Sequence, residues 1–519
     1  MIRSDVAQLL TPGAELIETH ISWVILEQDR VIKLKKPVDL GFLDFSTGAL
    51  RKLACESELR LNRRLAPDVY LGLGEVRGGA DGLHIGGAGE IIEHAVLMRR
   101  LPDHDRADIQ LSRGRLGLEG LRRAATTLAR FHAEAARSPE ISAWGSAEAV
   151  RVSVEENFAQ TRGYLPALSS PAEADELEAW QRCFLDAHVE RFEARIADDR
   201  VCEGHGDLRL EHLYLDESGG CRFLDCVEFN PRLRCLDVAS DVAFLAMDLG
   251  VHARVDLAER FLSLYAEASG DYGLFGMVDF YESYRAFIRG KLACFSLERA
   301  DLGPEARART EAQARRFFRL ALASERRALL GPRVIVVAGK IASGKSSLAS
   351  ALAMRTGAVV INSDRTRKMM EGVEVTEHLF DAPGAGAYTE DRTEATYAEL
   401  FRRAEAVLKS GRPVILDASF ARQRHREGAR EVARRLRVPF AFVECRVSRA
   451  EAMRRLEQRA RDASAVSDGR PEIWDAVSAT WEPVQFTPSE VLELPEDGSV
   501  DEAMARLEQR LPMWPPPVG

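Results

Sequence analysis

The sequence predicts two domains, an α+β domain over residues 1–330 and an α/β domain with a parallel sheet over residues 333–519. Three observations carry that expectation. A chain of 519 residues exceeds what one core ordinarily serves, at about 100 to 200 residues per domain. The helical patterns that dominate the first part end at Gly331-Pro332, a pair that punctuates the chain. Beyond that pair, apolar runs alternate with helical patterns, as they do in a parallel sheet covered on both faces.

In the first domain, ISWVIL and RVIKL flank the turn-like Glu-Gln-Asp and read as a hairpin between Ile21 and Val38. A helical pattern runs from Ser46 to Leu65 and stops before Pro67, and EIIEHAVLMRRL reads as a strand entering a connector at Pro102 and Asp103. Helical patterns then continue to Ile196. The segment VCEGHGDLRLEHLYLDESGGCRFLDCVEFN interrupts them with short apolar pieces between Gly-rich turns, and helices resume from Leu236 to about Leu330.

In the second domain the order is strand Arg333 to Ala338, Gly-rich loop, helix Lys345 to Thr356, strand Ala358 to Asn362, helices, strand Pro413 to Asp417, helix, strand Phe440 to Arg446, helix. The Pro-rich PMWPPPVG reads as a loosely held end.

Composition excludes several classes. Hydrophobic content of 46% with 29% charged residues is that of globular proteins, and the formal charge of −10 argues against bulk attraction to nucleic acid, leaving only a local basic groove open. Cys55, Cys183, Cys202, Cys221, Cys226, Cys235, Cys294 and Cys445 are scattered without zinc spacing, and read as reduced thiols. No run of about 18 uncharged apolar residues occurs, so the expectation is a cytoplasmic protein with no membrane partner.

Gly339-Lys340-Ile341-Ala342-Ser343-Gly344-Lys345-Ser346 fits G-x-x-x-x-G-K-[ST] between a strand and a helix, the setting that a P-loop (Walker A) requires. Glycines turn backbone N–H groups toward phosphates, the helix N-terminus favours anions, Lys345 reaches the outer phosphates, and the Ser346 hydroxyl, followed by Ser347, can ligate Mg²⁺. The next strand ends in Asn362-Ser363-Asp364, where ligands bind in doubly wound sheets. A carboxylate at Asp364 can deprotonate an acceptor hydroxyl and Arg367 can hold an anionic acceptor. Asp364 reads equally well as an N-cap. Asp417 closes PVILD as a Walker-B-type carboxylate or as an ordinary turn residue. Arg454, Arg455, Arg459 and Arg461, before SAVSDGRP, read as a lid or as a solvated helix face.

GKIASGKSSLA, INSDRTRKM, VILDASF, RLEQR and SDGRP together resemble the small P-loop kinases related to polynucleotide kinase, gluconate kinase and zeta-toxin-like proteins, over essentially all of 333–519. The resemblance implies Asp364 as base on the acceptor hydroxyl and Arg367 as acceptor contact; it aligns no particular lid arginine, and Arg455 and Arg459 are taken from the Arg-rich helix as the substrate-binding candidates.

In the first domain, His205-Gly206-Asp207, His212 and Asp225 form a constellation in which one Asp can accept a substrate proton and the other can ligate Mg²⁺. Lys33 on the VIKLKK strand can pair with phosphates and with Glu58 on the following helix. The order Lys33, Glu58, HGDLRLEH, FLDCVEF resembles the aminoglycoside phosphotransferase branch of the protein-kinase-like fold across roughly 15–325. THISWVIL, KLKKPVDLGFLDFST, ELRLNRRLAP and YRAFIRGK resemble a bacterial family that fuses such a domain to a P-loop kinase domain. The resemblance implies a two-lobed N-terminal fold, Asp207 as catalytic base, His205 shaping its loop, Asp225 as metal ligand, and Lys33 with Glu58 clamping phosphates. Two departures stand out: His212 replaces the metal-binding Asn of the wider pattern, and no G-x-G-x-x-G loop is present.

These readings lead to an enzyme, a bifunctional ATP- and Mg²⁺-dependent kinase acting on hydroxyl groups of sugars, sugar acids or nucleosides. Two alternatives remain open: one domain as a nucleotide-dependent sensor or pseudokinase regulating the other, and a polynucleotide 5′-hydroxyl kinase. Oligomeric state is not readable from the sequence.

Overall fold

The computed structural model describes residues 3–41, 43–79, 82–298, 302–322, 330–374, 377–379, 381, 384–459 and 466–511. The tail 512–519, Arg461 and the first residues of SAVSDGRP lie outside the described residues. The chain forms two compact units, residues 1–248 with 281–318 and residues 249–280 with 319–519. Residues 249–280, which the sequence expectation put with the first domain, therefore pack in the second unit.

The first unit begins with an antiparallel sheet of β1 (Glu15–Glu18), β2 (Ser22–Leu26), β3 (Arg30–Lys35), β4 (Tyr70–Gly79), β5 (Gly82–Ile85) and β6 (Glu90–Arg99), in the order β1-β2-β3-β6-β4-β5. The expected hairpin is β2–β3, with Val24 opposite Lys33. Between β3 and β4 lies helix Gly48–Asn62, started by Thr47, whose side chain accepts from the Leu50 N–H. Cys55 and Leu59 of this helix pack with Tyr70 and Val96 of the sheet. The second lobe is helical, with long helices Leu118–Glu134, Ala147–Thr161, Pro171–Ala187 and Val238–Val251 and most of Val278–Leu297. It also carries short strands β7 (Val201–Glu203), β8 (Leu213–Leu215), β9 (Cys221–Phe223) and β10 (Cys235–Asp237), paired β7–β10 and β8–β9. A twisted antiparallel sheet with one helix, followed by a helical lobe bearing the HGD loop, is the two-lobed protein-kinase-like fold.

The second unit is built on a parallel sheet of β11 (Val334–Gly339), β12 (Val359–Asn362), β13 (Val414–Asp417), β14 (Phe440–Cys445) and β15 (Val491–Glu493), in the order β12-β13-β11-β14-β15. β11 and β13 are buried throughout, which accounts for their unbroken apolar sequence. Residues 249–280 belong here for a physical reason. β12 is an edge strand, and its outward backbone groups need partners. Val360 N–H donates to Ser263 Oγ at 3.2 Å and Val360 O accepts from Tyr272 Oη at 3.1 Å. Nearby, buried Arg412 forks onto Glu259 at 2.7 and 3.0 Å and reaches Asp279 at 2.8 Å. Among the described residues no helix is long and apolar enough to cross a membrane.

Candidate active sites

In the second unit β11 delivers the loop 339–344 into helix Lys345–Thr356. Gly339 adopts φ +151°, and a Cβ there would lie 2.4 Å from Cys445 O, so the loop closes against β14 only with glycine at this position. Gly344 caps the helix at φ +89°, leaving the first-turn N–H groups directed at the loop. Lys345 Nζ rests on Lys340 O at 2.8 Å. Burial lowers the pKa of this ammonium, against the raising pull of Asp417.

Register sets the carboxylates. Asn362 and Asp417 are partners at the ends of β12 and β13, and Asn362 Nδ2 donates to Asp417 Oδ2 at 2.7 Å. Burial raises the Asp417 pKa, partly offset by Lys345 and by a hydrogen bond from Ser346. Asp417 Oδ1 is buried and without a hydrogen-bond partner, and the Ser346 and Ser347 side chains beside the loop are exposed. A buried oxygen without a partner beside a phosphate-binding loop and a hydroxyl fits a hard cation, which takes few protein oxygens and keeps its waters.

Asn362, and not Asp364, caps helix Ser363–Glu371, its Oδ1 accepting from Arg365 N–H at 3.0 Å. Asp364 sits inside the first turn, half-buried. The N-cap alternative for Asp364 is thereby corrected: the Asx side chain two residues earlier has the extended backbone a cap requires. Arg367 is buried, donates to Ala387 O at 2.6 Å and lies 4.6 Å over the Tyr388 ring. Tyr388 Oη donates to Asp468, which also accepts from Leu379 N–H and pairs with Lys368. Arg455 Nη1 donates to Ala342 O at 3.2 Å, and with Arg459 and Ser343 it lines a cavity of about 250 Å³ between the loop, β14 and residues 494–503. Arg455 and Arg459 thus stand against the P-loop.

In the first unit Lys33 Nζ pairs with Glu58 Oε1 at 2.9 Å and with Asp225 Oδ1 at 2.5 Å. Lys35, on the same face of β3, pairs with Glu58 Oε2 at 2.5 Å and with Glu228. Although burial opposes it, Lys33 holds the Asp225 carboxyl far below its ordinary range. Asp225 takes φ +65°, its N–H on Tyr70 Oη at 3.1 Å, while Cys226 N–H donates to Asn62 Oδ1 at 2.8 Å.

The HGD loop hangs on a buried carboxylate. Asp241 accepts from His205 N–H at 2.6 Å and from Gly206 N–H at 2.8 Å. Gly206 has φ +88°, and a Cβ would meet Leu233 O at 2.6 Å. His205 Nε2 faces Leu224 O at 3.0 Å and its Nδ1 accepts from Asp207 N–H at 3.2 Å, which fixes the neutral Nε2–H tautomer. Burial lowers its pKa to about 4. The Asp207 carboxylate is forked by Arg209, Nε and Nη2 each at 2.9 Å. Burial works against Asp207 ionisation, but Arg209 and His212 bring its pKa below the usual range. Burial and Arg209 lower the His212 pKa. Its Nδ1 faces Asp207 O at 2.9 Å and its Nε2 lies 3.7 Å from Asp225 Oδ2.

The structure thus brings Lys33, Glu58 and Asp225 together, and Asp207 with His212. Sequence reasoning missed Lys35, Glu228, Asp241 and Arg209. The period-two spacing of Lys33 and Lys35 on one strand was a usable signal, as were the two carboxylates, Asp241 and Asp248, in the otherwise apolar helix Val238–Val251.

A P-loop followed by strand-end carboxylates, joined to a kinase-like unit with a lysine–glutamate pair and an HGD loop, defines a nucleotide-binding phosphotransferase. The family model described as AAA domain matches residues 334–484. The chain is 34% identical over 423 residues, 81% of its own length and 81% of the relative's, to the uncharacterized protein Rv2004c of Mycobacterium tuberculosis, and to the same extent to the uncharacterized protein Mb2027c of Mycobacterium bovis. It belongs to the family of these mycobacterial proteins. Similar solved structures include the GDP complex of aminoglycoside 2′-phosphotransferase-IIIa, with 14% identity, 59% of this chain and 92% of that chain covered and a TM-score of 0.33. A gluconokinase from Sinorhizobium meliloti 1021 shows 23% identity, 36% and 94% coverage and a TM-score of 0.25. Likenesses of this size bear on neither substrate.

Proposed function

We propose that the chain is a bifunctional ATP-dependent phosphotransferase acting on hydroxyl groups of small molecules of the sugar, sugar-acid or nucleoside class. The observation that carries the reading is the Asp364 carboxylate, which the Asn362 cap leaves without a structural duty at the carboxyl end of β12, beside Lys345 and Asp417.

In the second unit the loop N–H groups and Lys345 hold the nucleotide phosphates, and the cavity beside Arg455 receives the base. Ser346 and Asp417 hold Mg²⁺, which supplies charge neutralisation when bound. Asp364 takes the acceptor hydroxyl proton as the oxygen attacks the terminal phosphorus, and the bond from that phosphorus to the β–γ bridging oxygen breaks to release ADP. Lys345 neutralises charge on the group in flight. Arg367, steadied by Ala387 and Tyr388, orients the acceptor.

In the first unit Lys33, fixed by Glu58, holds phosphates, Asp225 with His212 holds the metal, and Asp207 is the base. The assembled Lys33–Glu58 pair supports a working site, because kinases of this fold require that pair in place. A sensor role for this unit is favoured by one observation, the Arg209 fork that occupies both Asp207 oxygens.

The experiment is ATP turnover of the full chain over a panel of sugars, sugar acids, nucleosides and oligonucleotides, comparing Lys345→Ala, Asp207→Asn and the double variant. Two separable acceptor-dependent activities support bifunctionality. Loss of all turnover in Lys345→Ala alone supports the sensor reading, and turnover only with oligonucleotides supports a polynucleotide kinase.

A further inference from the structure

Helix Val278–Leu297 of the first unit presents two arginines one turn apart toward the HGD loop. Arg285 is buried and occupied: its Nη1 donates to Gly206 O at 3.1 Å and its Nε to Ser240 Oγ at 3.1 Å. Arg289 is the next residue along the same face, at the i+4 spacing that keeps two side chains together. Its guanidinium has no hydrogen-bond or ion-pair partner among the described residues and lies over the Phe317 ring at 5.5 Å. It is close enough to Asp207, Arg209 and Asp248 for each charge to act on the other, and its own pKa is lowered by burial and by Arg209.

A partly buried guanidinium with no direct anionic partner is costly, and the second guanidinium of Arg209 beside it adds repulsion. Asp248, whose Oδ2 accepts from Leu210 N–H at 2.9 Å, offsets only part of that cost from a distance and makes no direct ion pair with Arg289 among the described residues. Glu211, largely exposed, is on the far Nη1 edge of Arg209. Arg209 meanwhile occupies the oxygens with which Asp207 would take a proton. A neutral hydroxyl competes poorly with a two-bond, charge-assisted fork, whereas an oxyanion on the acceptor can take over the guanidinium and free the carboxylate beside it.

We propose that the acceptor of the first unit carries an oxyanion, a carboxylate or a phosphate near its reacting hydroxyl, held by Arg289 and Arg209. The proposal rests on the reading of Asp207 as the base of a phosphotransfer site. In the productive complex Arg209 turns from Asp207 to the oxyanion, Arg289 supplies the second cation, and Asp207 takes the hydroxyl proton. This places Arg289 among the substrate-binding residues and makes neutral polyols poor acceptors.

The test uses the full chain saturated with Mg²⁺ and a non-hydrolysable ATP analogue, so that nucleotide phosphates already fill their own positions. Arginine labelling by phenylglyoxal is mapped by peptide mass spectrometry with and without malonate or inorganic phosphate as probe. The expected result is that at least one probe protects Arg289 and Arg209 while exposed Arg434 stays labelled; malonate and phosphate separately report which oxyanion is preferred. Arg289→Gln should weaken probe protection of Arg209 by roughly 10- to 100-fold, the loss of one charge-assisted contact, with Arg289→Lys in between. No protection of Arg289 by either probe overturns the proposal, as does phosphate protection seen only without nucleotide, which would assign the arginines to the nucleotide's own phosphate. ATP turnover of Asp207→Asn in the Lys345→Ala background is measured separately. Residual turnover at the parent rate removes the base assignment whatever the labelling shows, so the two failures are distinct.

Discussion

Replacing Asp364 with Asn separates a base from a structural carboxylate. The helix cap is not at risk, because Asn362 Oδ1 is the acceptor of the Arg365 N–H. What the variant loses in stability is one negative charge in the first turn of helix Ser363–Glu371, about 0.3 to 1 kcal/mol of interaction with the helix dipole. Part of that returns, since Asp364 repels the buried Asp417 carboxylate and pushes its pKa up. For a unit of this size the thermal midpoint should therefore move by no more than about 2 to 4 °C. The rate should respond quite differently. A hydroxyl that loses its base gives up about 10² to 10⁴ in turnover, or roughly 3 to 5 kcal/mol of transition-state stabilisation. The assay pairs the thermal midpoint with acceptor-dependent ATP turnover of the same preparation in an Asp207→Asn background. An unchanged rate at an unchanged midpoint would refute the assignment and leave the P-loop as a nucleotide site without an identified base.

Lys345→Ala should abolish second-unit turnover, a loss that can reach several kcal/mol, yet barely change apo stability, because burial already disfavours the charged ammonium; turnover surviving in the Asp207→Asn background would contradict this. Asp417→Asn should raise the apo midpoint at neutral pH while stopping turnover. The sign follows from the raised carboxyl pKa: stability from a raised group is complete below the unfolded value and is lost as pH rises through the folded one, so the ionised Asp417 is a cost that Asn removes. A lower midpoint for Asp417→Asn refutes it. His205, held near pKa 4, works the other way: its stability is present above the unfolded value of about 6.5 and falls away on acidification toward 4, about 3 kcal/mol in all. Urea unfolding of the first unit across that window should show the loss, and His205→Gln should flatten it; an equal slope in both proteins counts against it.

Local chemistry was legible in the sequence wherever function is written in consecutive residues. The P-loop, the HGD triplet and the strand-end Asp417 are short segments whose backbone path is dictated by glycines and strand ends, so their geometry follows from their order. The Lys33–Glu58 pair was legible through the kinase-like order of a strand lysine followed by a glutamate on the next helix, twelve residues of connector notwithstanding. What escaped depends on contacts far apart in the chain. Asp241 lies 36 residues from His205, and nothing in its own helix says which N–H groups it will accept from. The packing of residues 249–280 was hidden because amphipathic periodicity gives the face of a helix that must be covered but not the element that covers it; only the open edge of β12 decides. Short β15 carries too few residues for alternation to register, and the N-cap alternative at Asp364 stayed open in the sequence because Asn362 and Asp364 are equally good capping types.

The two candidate bases differ in a way that bears on how each site is controlled. Among the described residues Asp364 is bound by no arginine fork, and it stands near the fixed charges of Lys345 and Asp417. Asp207 is ionised but occupied, and its low pKa is itself a consequence of the Arg209 fork. Brønsted reasoning makes such a carboxylate a weak base until the guanidinium leaves, whereupon its burial raises its basicity at the moment the proton must move. The same burial that makes the resting ion pair stable in the first unit therefore makes the released carboxylate reactive. Turnover there is conditional on a ligand able to draw Arg209 away, whereas the second unit has no such condition, and a single chain can hold both kinds of site because each base is set by its own neighbours and not by the fold around it.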